Sequence, residues 1–68
     1  MKALFETDYV IYDKANDHPL RWEINDDIIL FGDKHEALND CRGNEIVIPC
    51  TELPSHWQEE LIKQINED

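Results

Sequence analysis

His35, Cys41, Cys50 and His56 fall in the pattern H-x5-C-x8-C-x5-H. All four are zinc-ligand types. The spacing is wrong for zinc, because the usual ligand pairs sit two to four residues apart. Both cysteines fit ordinary packing, since a thiol behaves as a small apolar group. His35 and His56 fall in the first turns of two predicted helices and face water. The sequence therefore predicts no metal site and no cofactor. A disulfide between Cys41 and Cys50 would close a loop of about ten residues and stabilise only modestly.

A thiol enzyme needs a nucleophile, a neighbouring base and a place for the oxyanion. Cys50 with His56 is the better pairing in this chain, yet 68 residues leave little room for a pocket that excludes water. No nucleophile motif surrounds either cysteine, so the chain reads as a non-enzyme. Adjacent Asp26 and Asp27 read as turn residues. Asp13, Asn16 and Asp17 share one loop but lack the spacing of a calcium loop with its distal glutamate. Gly32 and Gly43 are the only glycines, which leaves no loop to cradle a phosphate.

Sixteen acidic residues face six basic ones, a formal net charge of −10. Such a chain repels phosphate backbones and anionic membranes, so neither direct nucleic-acid binding nor membrane binding is expected. The charge suits a basic protein surface or divalent cations, and it also serves to keep a small protein soluble. The expected function is that of a small acidic protein-binding module, accessory or inhibitory, docking on a basic partner. The candidate contact residues are Asp13, Asp17, Asp26 and Asp27, with Tyr9 and Tyr12 as aromatic anchors beside them. Two alternatives stand beside it, the first within the same class and the second a structural, self-associating class of its own. If Glu6, Asp8 and these aspartates align, they imitate a duplex phosphate array and would block a nuclease or DNA-binding protein. If a strand edge or apolar surface is left uncovered, the chain self-associates as a homodimer.

The elements that position these residues follow from pattern. Tyr9–Tyr12 is a run of strong strand formers, and 2–5 either extends it or lies against the core. Residues 13–19 are rich in turn types, which predicts a hairpin. In residues 20–24, Leu20, Trp22 and Ile24 alternate with Arg21 and Glu23, predicting a second strand with one buried face. Residues 28–31 form an apolar run that predicts a third strand, buried on both faces. Asp33 is a good N-cap for a short helix with Ala37, Leu38 and Cys41 on one face, and Gly43 is placed to end it. Residues 45–50 predict a fourth strand, with Pro49 at its end or on an edge. Ser55 and Gln58 match a capping box that opens a final helix with a stripe of Trp57, Leu61, Ile62 and Ile65.

The chain thus predicts one domain over residues 1–68, of the α+β class. The expectation is a small mixed sheet of about four strands, ordered β-β-β-α-β-α, with the C-terminal helix packed on one face. The 13 residues between 31 and 45 suffice for a parallel crossover. Trp57 is the expected anchor of the helix, contributing roughly 2–3 kcal/mol. Glu6 and Asp8 interrupt the N-terminal apolar residues, and no apolar run approaches a membrane span, so a cytoplasmic setting with reduced thiols is expected.

Overall fold

Strand-forming side chains at Tyr9–Asp13 build the central strand β1 of a three-stranded antiparallel sheet in a computed structural model, which describes Leu4 and residues 7–67. β1 pairs with β2 (His18–Pro19) on one edge and with β3 (Glu45–Pro49) on the other. Helix α1 (Lys34–Asp40) precedes β3, a single 3-10 turn (Cys50–Glu52) follows it, and helix α2 (Ser55–Asn66) comes last.

Prolines sit where the ladder has no use for an N–H. Pro19 faces Tyr12. The bond Leu20 N–H to Ile11 O shows that the hydrogen-bonded pairs on this edge are the neighbouring ones. Pro49 faces Tyr9, whose N–H and C=O are both spent on Phe31, on the opposite edge. Within 45–49 the outer edge of β3 thus lacks a donor at Pro49, and the Glu45 N–H is taken by Arg42 O. Val47, opposite Ile11, is the position of β3 left to offer an outward N–H, so a further chain meets a short ladder there.

Alternation along β1 divides the interior. Val10 and Tyr12 join Ile28, Cys50, Leu53 and Leu61 in one buried cluster, with Trp57 and Ile65 of α2 and Leu4 packed against it. Ile11 points the other way and is fully buried on the face that α1 covers with Ala37. Both faces of the sheet are therefore covered.

The chain between β2 and α1 departs from expectation. Residues 20–24 are not a core strand. Leu20 continues the β2 pairing, but the backbone then leaves the sheet and returns through Phe31, which pairs with Tyr9. The excursion closes on itself as a small hairpin, with Arg21 opposite Ile28 and the Ile29 N–H bonded to Leu20 O. Trp22 and Ile24 are consequently exposed. Only isolated bridges occur in 28–31, so the four-strand count does not hold. The predicted crossover does not join neighbours either, because β1 lies between Phe31 and β3 and is antiparallel to both.

Capping differs at the two helices. Asp33 accepts a hydrogen bond from the His35 N–H at 2.9 Å, as its spacing predicts. The helix ends sooner than expected, with Cys41 as C-cap, and Gly43 takes its positive φ of 57° in the turn that follows. At α2 the N-cap is Pro54 and no side chain caps. Gln58 instead donates to the carbonyls of Thr51 and Leu53, at 2.8 and 2.7 Å, which ties the helix to the turn before it. The helix anchor is Leu61, at 0% exposure, and Trp57 lies half-buried at the rim.

Candidate partner-binding face

The turn between β1 and β2 is built by its own acids. The Asp13 carboxylate accepts from the Ala15 N–H, the Asn16 N–H and the Asn16 side-chain amide, at 3.1, 3.2 and 2.8 Å. These bonds, the Asn16 side chain foremost, hold its carboxyl below the usual aspartate range. Residues 13–17 are therefore a self-bonded turn. Asp17 closes it with a φ of 53°, a left-handed conformation that Asp tolerates.

Asp17 also ties the turn to α2. Its carboxylate accepts from the Tyr12 hydroxyl and lies 3.5 Å from His56 Nε2, while its carbonyl accepts from Trp57 Nε1 at 2.8 Å. The hydrogen bond to Asp17, then burial and the charges of Asp17 and Asp13, push the Tyr12 phenol up to about 12. The fold thus favours the neutral phenol. Its contribution is complete below the ordinary tyrosine value of 10 and is lost as pH rises toward 12. An alkaline titration followed in the tyrosinate absorption band should show a transition near pH 12 that Tyr12→Phe abolishes. Persistence of that transition in the variant would place the phenol elsewhere.

The hairpin brings the second acidic turn alongside. Arg21 lies over the Trp57 ring, 5.6 Å from its centroid, and bonds Asp26 at 3.2 Å. Asp17, Trp57, Arg21 and Asp26 thus form one connected chain of contacts. Below it, between the hairpin and α2, runs an open groove of about 330 Å³. Four carboxylates line it, from Asp26, Asp27, Glu60 and Glu67, against two cations, Arg21 and Lys63. Gln64 closes its floor by gripping Ile28. Its Oε1 accepts from the Ile28 N–H at 2.7 Å and its Nε2 donates to the Ile28 carbonyl at 2.9 Å.

Of the residues the sequence singles out, Asp26 and Asp27 line the groove and Asp17 adjoins it through Trp57. Asp13 stays in its turn. Tyr12 is a core residue, so its ring is no surface anchor. Tyr9 is half-buried at the other end of β1, away from the acidic turns. Glu6 lies outside the described residues. Trp57, Glu60, Gln64 and the tip residues Trp22 and Ile24 have no signal in the sequence beyond ordinary strand and helix periodicity.

The thiol and imidazole groups do not converge. Among the described residues no group of three or more His, Cys, Asp or Glu is arranged to hold a metal ion. Cys41 and Cys50 are not joined by a disulfide. The Cys41 thiol donates to the Glu45 carbonyl at 3.0 Å, and Cys50 is part of the core. No helix among the described residues is long and apolar enough to cross a membrane. Compared with protein-family models, curated proteins and solved structures, the chain gives no match.

Proposed function

We propose that this chain is a non-enzymatic binding module that docks its acidic groove face onto a basic surface of a partner protein. The observation that supports it is the convergence of two acidic turns and the acids of α2 around Trp57, leaving a groove with twice as many carboxylates as cations. The formal charge of −10 adds long-range steering toward a basic partner. A pure imitation of a phosphate array is the weaker alternative, because a nucleic-acid backbone has no counterpart to the apolar Trp22 and Ile24 at the edge of this face. Self-association through a sheet edge is weaker too, given how few donors β3 leaves outward.

The test compares the immobilised full chain with an Asp26→Asn/Asp27→Asn double variant in host-cell lysate. Asparagine tolerates the left-handed conformation Asp26 adopts, at φ 64°, so the turn survives. The exposed Arg21–Asp26 pair contributes under about 1 kcal/mol to the fold. The expected result is one or a few basic proteins held by the parent, released as salt rises from about 0.15 to 0.5 M, and lost from the variant. Equal retention by both chains, or retention of acidic, salt-resistant proteins, overturns the proposal.

A further inference from the structure

The hairpin of residues 20–29 is closed by its own hydrogen bonds, yet Trp22 and Ile24 at its tip stand outside the core. The Trp22 N–H bonds the Asp27 carbonyl at 2.8 Å, and the Asp26 N–H bonds the Trp22 carbonyl at 2.8 Å. The Asn25 side chain accepts from the Asp27 N–H at 3.1 Å, and Gln64 grips Ile28 at the base. What this scaffold presents is Trp22, 54% exposed, and Ile24, 95% exposed. A 68-residue chain has few apolar side chains to spare, and a large apolar group kept in water forgoes its burial energy. Glu23, Asp26 and Asp27 share the hairpin with the pair and are all exposed, Asp26 bonded to Arg21 at 3.2 Å.

We infer that this tip is a preformed anchor, which inserts Ile24 and Trp22 into an apolar pocket rimmed by lysine or arginine on a different protein. The inference rests on the binding function proposed above and names the element that carries it. Charge selects the occupant. A second copy would bring an acidic tip against another acidic tip, or against a groove lined by Asp26, Asp27, Glu60 and Glu67. Like charges at close range oppose that contact. A basic rim meets the carboxylates of Glu23 and Asp27, with Asp26 already paired to Arg21, while the apolar pair supplies the desolvated centre, the arrangement in which few residues dominate affinity. The hairpin ladder and the Gln64 clamp hold the tip in shape before binding, so little ordering entropy is lost on docking.

A photo-crosslinking residue placed at position 24 of the full chain, with position 39 on α1 as an exposed control, reads this directly in host-cell lysate. The expected result is a product specific to position 24, mapping to an apolar pocket bordered by Lys or Arg. With that protein purified, Ile24→Asp should bind about 30-fold or more weakly, while its thermal melt matches the parent. Equal labelling from positions 24 and 39, or a crosslink to a second copy, overturns the inference, as does a mapped surface without basic residues. If the lysate capture that depends on Asp26 and Asp27 persists while position 24 labels nothing, the tip is wrong and the groove face stands. If that capture is absent as well, both fall.

Discussion

Leu61→Ala is expected to cost the chain a large share of its folding stability. Leu61 is fully buried at the centre of the cluster formed by Val10, Tyr12, Ile28, Cys50 and Leu53. It is the one fully buried residue of α2. Truncating a buried leucine costs about 2–5 kcal/mol, the spread depending on how far the surroundings collapse. Total stability for a chain of this length is about 3–10 kcal/mol. The loss is thus of the same order as the whole. Thermal unfolding followed by circular dichroism should show the midpoint fall by about 10–40 °C. Ile62→Ala is the matched control, since Ile62 is only partly buried and lies outside the cluster. A Leu61→Ala melt within a few degrees of the parent would mean that α2 is not what seals this face of the sheet.

Local rules read the elements whose burial is decided close by. The strand formers of β1, the cap at Asp33, the apolar run of β3 and, apart from Ile62, the stripe of α2 each appear where spacing places them. The segment 20–31 was not legible, for a physical reason. Alternation at Leu20, Trp22 and Ile24 states that one face differs from the other. It does not state whether the apolar face meets this chain's core or something outside it. The choice was made at long range, where Phe31 takes the position opposite Tyr9 and displaces the hairpin from the sheet.

The site shows the same division. Asp26 and Asp27 were readable as acidic turn residues, and the structure sets them in the groove. The Tyr12 ring lies in the core, and strand propensity does not say which face of a strand is covered. At α2 the Ser55 and Gln58 spacing fits a capping box, yet Pro54 takes the cap and frees Gln58 to bond two preceding carbonyls. Glu60 and Gln64 fall on the wet side of the helical wheel. Helical periodicity carries no information about a hairpin that comes to lie beside that side.

Gln64→Ala should therefore loosen a segment more than thirty positions away in sequence. Ile28 is 4% exposed, and both of its backbone groups end on the Gln64 amide. Removing that amide leaves a buried N–H and a buried carbonyl without partners, at about 1–3 kcal/mol each before water enters from the groove. Amide exchange at Ile28 should accelerate about 30-fold or more, since about 2 kcal/mol of local opening energy is lost. Gln64→Glu separates the two halves of the grip. A carboxylate still accepts from the Ile28 N–H but cannot donate to its carbonyl. Protection of the Ile28 amide should then survive while global stability drops, further so because the new charge joins Glu60 and Glu67 on its own wall of the groove and lies opposite Asp26 and Asp27. Partner binding gives the second readout. In Gln64→Ala, Trp22 and Ile24 remain chemically intact but are no longer held in place, so affinity should fall although the tip itself is unchanged. Unaltered Ile28 exchange in Gln64→Ala would show that the hairpin stands without α2, and the docking tip would then owe its order to its own ladder alone.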